Sequence, residues 1–202
     1  MKKTLILLIT SIALLNPATA NVMGQNTDQL PPGCEEISGT EQLTIEAGTE
    51  HAEQFPSKMY TYSDRKLNFE PCTKLEVTFI NNDSIRHQWM VHGLPEQTYG
   101  KMGMFMLETT SGKEKGTFIL PSEDESLLIH CGVPQHTQKG MKAQLTVGNG
   151  DGDIPNVPGH TGPIDGYSYG QESAVPMGMV VGITMLLLGA SMIAIMEKRT
   201  EK

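Results

Sequence analysis

Short runs that alternate apolar and polar residues extend from about residue 41 to residue 147. In each run the apolar side chains fall on one face of an extended strand. The clearest runs are Leu43/Ile45, Leu75/Val77/Phe79, Trp89/Val91, Phe118/Leu120, Leu127/Ile129 and Leu145/Val147. Gly, Pro, Asn and Asp separate them, and no long helical period occurs between residues 21 and 149. The pattern predicts an all-β domain over residues 21–148, built as an antiparallel sandwich or barrel.

The two ends of the chain carry apolar segments of a different kind. Residues 1–20 combine Lys2 and Lys3 with an apolar run that ends in Ala-Thr-Ala, which predicts a signal peptide cleaved after Ala20. Residues 175–196 contain no charge and are long enough for a transmembrane helix. The basic residues of the 197–202 tail place it in the cytoplasm. We therefore expect a single-pass inner-membrane protein whose domain lies in the periplasm.

Between the domain and this helix, residues 149–174 are rich in Gly and Pro and show no periodicity. Such a composition predicts a flexible tether, with an average span of roughly 28 Å. We therefore expect the domain to stand off the membrane and to reorient.

The chain is acidic, with 15 Lys and Arg against 23 Asp and Glu and a formal net charge of −8. Several of the basic residues belong to the signal and the tail, so the domain itself is more acidic still. This charge argues against nucleic acid and anionic lipid as partners. It favours a protein partner with a basic docking surface.

Three cysteines in an oxidising compartment suggest one disulfide and one remaining thiol. Cys34 and Cys72 lie in strand-and-turn sequence without nearby histidines, and we expect them to pair. Cys131 has different surroundings, since His136 and Met141 follow it with the spacing C-x4-H-x4-M. A thiolate, an imidazole and a thioether in one loop form a soft ligand set that suits copper and not calcium or magnesium.

A trigonal copper site needs a second imidazole. The best candidate is His87, which follows an Asn-Asn-Asp turn in FINNDSIRHQWMVHG. The segments NNDSIRH and CGVPQHTQKGM resemble the ligand segments of the cupredoxins, and the loop is most similar to the rusticyanin and auracyanin branch of that family. The resemblance implies a Greek-key β-sandwich with a type 1 copper held by His87, Cys131 and His136, and by Met141 as a long axial ligand. It also implies one-electron transfer, with His136 at an exposed edge.

Two further histidines are left over. His92 is an odd number of residues from His87, and His130 directly precedes Cys131, so alternation turns both away from the predicted copper. Their spacing resembles the first domain of copper nitrite reductases, where equivalent positions bind a type 2 copper. That site needs a third histidine from a neighbouring subunit, and His51 or His160 would have to supply it.

A methionine stripe follows, with Met102, Met104 and Met106 at period two on one face of an extended segment. Methionines spaced in this way most often pack, but thioethers also bind Cu(I). A second metal site could therefore draw on His92, His130 and these methionines. The sequence predicts one copper per chain, with a candidate second site.

Three functions are compatible with these features. The first is electron transfer, and the second is the capture of copper for delivery to an exported copper enzyme. The third is catalysis as a reductase or oxidase with an additional type 2 copper. The sequence favours electron transfer over an enzymatic role.

Overall fold

The computed structural model describes residues 20–162, and these residues form ten β-strands. The strands are β1 Ala20–Met23, β2 Gly39–Gly48, β3 Thr61–Tyr62, β4 Lys66–Phe69, β5 Thr73–Asn81, β6 His87–His92, β7 Met104–Thr109, β8 Gly112–Ile119, β9 Glu125–His130 and β10 Lys142–Val147. A 3-10 turn at Glu50–Ala52 and a short helix α1 at Glu96–Tyr99 lie between strands. The all-β prediction is confirmed.

The strands form two sheets. One contains six strands in the order β1-β7-β6-β9-β10-β4, and the other contains four in the order β3-β2-β5-β8. Most neighbours are antiparallel, as predicted, but β10 pairs with β4 in parallel and β2 pairs with β5 in parallel. Because each parallel pair joins strands that are distant in sequence or linked by a long connection, local alternation could not reveal it.

The core lies between the two sheets and consists of the inward residues of the predicted runs. Trp89 and Phe105 from the six-stranded sheet meet Phe118 from the four-stranded sheet. The Phe105 and Phe118 rings stack with their centroids 4.5 Å apart. Aromatic contacts of this kind add to the area that each ring buries. The strands that carry the predicted ligands are therefore held by a large apolar core.

The predicted disulfide between Cys34 and Cys72 is confirmed. Cys72 lies just before β5 and has a positive φ of 60°. The bridge ties the segment that precedes β2 to the turn that starts β5, the strand that leads toward His87. Cys131 is the free cysteine of the described residues, and it is buried.

The flexible-tether prediction is wrong for residues 149–162, because this segment packs on the domain. Val157 is fully buried, and the Ile154 backbone N–H donates to the Gln144 side chain on β10 at 2.6 Å. The Ser126 backbone N–H donates to the Asp151 carboxylate at 2.9 Å. One buried apolar side chain and hydrogen bonds between backbone N–H groups and side-chain oxygens thus hold a segment whose composition suggests flexibility against β9 and β10.

The remaining predicted segments lie outside the described residues. These are residues 1–19 of the signal peptide, the rest of the linker, the 175–196 membrane helix and the 197–202 tail. Within residues 20–162, no helix has the length and apolar character needed to cross a membrane.

Candidate metal centre

A side-chain-stabilised turn brings His87 to the start of β6. The carboxamide of Asn81, the last residue of β5, donates to the carbonyls of Ile85 at 2.7 Å and Thr109 at 2.8 Å. Its oxygen accepts the backbone N–H of Asp83 at 2.9 Å. Such local side-chain bonds are typical of Asn in turns. The turn fixes the backbone that leads into β6, so that His87 points into the core.

The loop from Cys131 to Met141 is closed by its own backbone hydrogen bonds. The Cys131 N–H donates to the Met141 carbonyl at 3.2 Å, and the Met141 N–H donates to the His136 carbonyl at 3.0 Å. Gly140 has a φ of 115°, and a Cβ there would meet the Tyr60 carbonyl at 2.8 Å. Glycine therefore suits this position both for its conformation and for its lack of a side chain.

Three of the predicted ligands converge in the interior. The Nδ1 atoms of His87 and His136 are 3.1 Å apart, and Sγ of Cys131 is 3.6 Å from Nδ1 of His136. All three side chains are buried, and one ligand atom from each lies within 4.8 Å of the others. Met141 is fully buried too, and its backbone bonds to Cys131. Two imidazole nitrogens and a sulfur that face one another fit a copper ion with mixed N and S ligands.

The orientation of His87 is set by Asp83, a residue that sequence reasoning placed only in the turn. The Nε2 atom of His87 is 2.7 Å from a carboxylate oxygen of Asp83. An ionised carboxylate only accepts hydrogen bonds, so Nε2 carries the proton and the Nδ1 lone pair faces His136 and Cys131. Outer carboxylates commonly fix metal-binding histidines in this way.

The pKa values of His87 and Asp83 both fall, although burial and hydrogen bonding act in opposite directions at each residue. Burial lowers the pKa of His87, although Asp83 partly offsets the effect. Burial alone would raise the pKa of Asp83, but the bonds from His87 and Thr49 outweigh it, and the pKa of Asp83 falls. The pair is therefore a neutral imidazole held by a carboxylate at neutral pH, which is the form that binds metal.

The thiol of Cys131 lies in a site that disfavours its charge until a metal binds. Burial raises the pKa of Cys131, while backbone N–H groups of Val133 and Gln88 act in the opposite direction. The Gln88 N–H lies 3.4 Å from Sγ. Since metal binding displaces the thiol proton, these N–H groups are placed to stabilise the thiolate.

Tyr60 covers the histidine pair, and sequence reasoning missed it. Its ring stacks on His136 at a centroid distance of 4.5 Å and meets His87 edge-on at 5.3 Å. His136 is only 8% exposed as a result. The expectation of an exposed edge at His136 is therefore wrong, because a half-buried tyrosine lies over it. No local pattern in the sequence links Tyr60 to the loop.

The leftover histidines lie where alternation places them, on the outer face of the six-stranded sheet. The rings of His92 and His130 stack with centroids 4.8 Å apart and planes 6° apart. Burial and the nearby His130 lower the pKa of His92. In the described residues, neither histidine belongs to a group of three histidine, cysteine or carboxylate donors. The type 2 copper hypothesis stays a prediction, and residues 20–162 of one chain supply no third donor of that kind.

The methionine stripe differs from the prediction at one end. Met104 and Met106 lie on β7 and form a buried cluster with Met90 of β6. Met102 precedes the strand and is 64% exposed. Its inclusion in the stripe is therefore wrong, because the extended backbone starts only at Met104.

No protein-family model matches the chain, and no curated protein sequence matches it. Solved structures of similar fold include auracyanin B, with 15% sequence identity and a TM-score of 0.43 over 63% of this chain and 97% of that chain. An auracyanin from the photosynthetic bacterium Roseiflexus castenholzii has 19% identity and a TM-score of 0.39 over 53% and 96%. A reduced rusticyanin has 17% identity and a TM-score of 0.35 over 54% and 79%. Likenesses this distant assign no function. The described residues form two facing β-sheets in which two histidines and a cysteine converge beside a buried methionine, and this arrangement agrees with the cupredoxin resemblance of the ligand segments.

Proposed function

We propose that this chain is a type 1 copper protein that transfers single electrons. The observation that carries the proposal is the convergence of the His87 and His136 Nδ1 atoms with Sγ of Cys131 in a buried site. His87, Cys131 and His136 would hold the ion, with Met141 as the axial ligand. Copper bound there would alternate between Cu(I) and Cu(II) and so accept and release one electron.

The residues around this site are suited to holding its ligands still. Asp83 fixes the His87 ring, Tyr60 packs on both imidazoles, and the Gln88 N–H is directed at the sulfur. Ligands that are already in place need little rearrangement when the charge at the site changes. Tyr60 also excludes water from the histidine pair.

The proposal is tested on the full-length chain, purified in detergent and loaded with Cu(II). We expect an intense visible thiolate-to-copper charge-transfer band and a reversible one-electron couple in voltammetry. Cys131→Ser should abolish the band. The matched control for His87→Gln is His160→Gln, because His160 lies outside the ligand group, and only the first change should remove the band. A wild-type protein that binds copper without such a band would refute the proposal.

We propose further that residues 175–196 anchor the protein in the inner membrane with the domain in the periplasm. The support is the uncharged 175–196 segment, the basic tail and the signal-like residues 1–20. Reporter fusions after residue 162 and after residue 202 should report opposite sides of the membrane. The acidic composition supports a redox partner with a basic docking surface, and association should then slow as salt rises.

A second candidate function is copper capture and delivery. The observation that favours it is the cluster of Met90, Met104 and Met106 beside the stacked His92 and His130. Copper delivery requires that a chelator or an apo-acceptor removes the ion, whereas an electron carrier retains it through repeated oxidation and reduction. Copper retention through redox cycling in the presence of a chelator separates the two functions.

A further inference from the structure

The outer face of the six-stranded sheet brings five side chains with soft or borderline donor atoms together. Cross-strand register places His92 opposite Met104, and Met90 opposite both Met106 and His130. Residues directly opposite in antiparallel strands have Cβ atoms about 5 Å apart. The five side chains therefore form one contiguous patch across β7, β6 and β9, which we call the Met-His face.

The three methionines of this face are separate from the main core. They form a buried cluster of their own, and the inward residues of the same strands, such as Trp89 and Leu107, supply the core between the sheets. Methionine often fills irregular gaps in packing. Here, however, the thioethers lie beside two imidazoles, and packing alone gives no reason for that pairing.

The two histidines have nitrogen atoms available for a ligand. Nε2 of His92 is shielded from solvent and has no hydrogen-bond partner. For His130, the decisive contact is Thr137, whose hydroxyl donates to the Cys131 carbonyl at 2.6 Å. That hydroxyl can then only accept from Nδ1 of His130, 3.3 Å away. His130 is thus protonated at Nδ1, and its Nε2 lone pair remains for a metal.

The charged neighbours of the Met-His face are already engaged. Glu108, further along β7, bonds to Gln88 and lies 3.8 Å from Nε of Arg86. Lys142, opposite His130, donates from Nζ to the Pro155 carbonyl at 2.6 Å. The donors left over, thioether sulfurs and imidazole nitrogens, bring no negative charge to the site. A monovalent soft cation therefore fits better than a divalent one, whose charge would lack compensation in a largely buried site.

We propose that the Met-His face is a second metal site, which binds Cu(I) through His92, His130 and the thioethers of Met90, Met104 and Met106. It differs from the set that the sequence indicated, because Met90 joins it and Met102 does not. The site lies on the opposite side of the sheet from the His87, Cys131 and His136 group, and it does not depend on the type 1 assignment.

The test counts Cu(I) bound to the full-length chain without oxygen and in the presence of ascorbate, in competition with a chromophoric Cu(I) chelator. We expect two copper ions per wild-type chain. Replacing Met90, Met104 and Met106 together with leucine should weaken one of them by about tenfold or more, since losing a ligand should cost no less than losing an outer-shell partner. Methionine-to-leucine changes largely conserve volume, and unchanged thermal unfolding would show that the fold is retained.

The matched control is Met102→Leu, the same chemical change just outside the strand, which should leave both ions bound. His92→Leu should weaken the same ion as the triple leucine variant, and Cys131→Ser should leave that ion in place. A wild-type chain that saturates with one copper, lost on Cys131→Ser, would overturn the proposal. Undiminished binding of a second copper in the triple leucine variant would overturn it as well. Failure of the type 1 assignment gives a different result from failure of this proposal. The visible charge-transfer band would then be absent, while the Met-His face would still bind Cu(I).

Discussion

Replacing Asp83 with alanine should weaken copper binding at the predicted type 1 site, although Asp83 is not itself a ligand. The carboxylate holds Nε2 of His87 at 2.7 Å, and the imidazole is fully buried. This bond fixes both the tautomer and the ring rotation that direct Nδ1 toward Cys131 and His136. Without it, the ring can turn or carry its proton on the nitrogen that must bind copper.

The size of the effect follows from the outer-shell position of Asp83. Loss of such a partner usually costs 10- to 100-fold in metal affinity, or about 1.4–2.7 kcal/mol. Two features place Asp83→Ala toward the larger value. The pair is largely shielded from solvent, and burial already lowers the pKa of His87, which Asp83 partly restores. Removing Asp83 therefore also makes the imidazole a weaker base and a weaker ligand.

The assay is a chelator competition with full-length wild type, Asp83→Ala and Asp83→Asn. Asparagine can still accept the Nε2 proton through its amide oxygen, so Asp83→Asn should lose less affinity than Asp83→Ala. Thr49→Ala is the control, because the Thr49 hydroxyl donates to the other carboxylate oxygen at 3.0 Å and its loss leaves the His87 contact in place. Wild-type affinity in Asp83→Ala would refute the idea that this hydrogen bond organises the site.

Three predictions concern stability. Changing Cys34 and Cys72 to serine opens a loop with a sequence separation of 38. It should lower the unfolding free energy, measured by urea denaturation, by about 4 kcal/mol. A loss below about 1 kcal/mol would contradict this loop-entropy account. Burial, and repulsion from the carboxylates of Asp151 and Glu123, raise the pKa of Glu125. The charged form of Glu125 therefore destabilises the fold at neutral pH. The fold gains stability from this group as the pH falls through the raised pKa. Glu125→Gln should therefore stabilise by about 0.5 kcal/mol at pH 7 after solvent screening, with the gain disappearing in acid denaturation series below the unfolded pKa. Val157→Ala should cost about 2 kcal/mol if the 149–162 segment contributes to the fold, and an unchanged urea midpoint would show that it does not.

The sequence predicted which side chains come together at the candidate metal centre better than it predicted their surroundings. Cys131, His136 and Met141 lie in one loop, so their spacing alone shows a shared role. His87 lies on another strand but carries its own local signal, the Asn-Asn-Asp turn. Tyr60 has no such signal, because it lies just before β3 and contacts the two histidines only through the tertiary fold. Contacts between segments that are distant in sequence are the part that local patterns do not contain.

The fold shows the same division between local and distant information. Long strands with several alternating apolar residues were identified, whereas β1, β3 and β4 are edge strands of two to four residues, too short to show a period. The prediction that Met102 belongs to the methionine stripe is wrong for a related reason. Gly103 has a φ of 50°, and a Cβ there would meet the Leu94 carbonyl at 2.5 Å. This tight turn, not the spacing of the methionines, sets where β7 begins.

One strand register relates the two proposed metal sites on opposite faces of the six-stranded sheet. β6 contributes His87 to the inner group and His92 to the Met-His face, while His130 ends β9 on the outer face and Cys131 follows on the inner side. Because side chains alternate along a strand, a slip of one residue would exchange the faces of both histidines on β6. Thr137 adds a direct link, since it bonds to the Cys131 carbonyl and to His130 from the residue next to His136. The loop that shapes the inner site thus also sets the tautomer of His130. Substitutions at Thr137 should therefore change metal binding at both proposed sites.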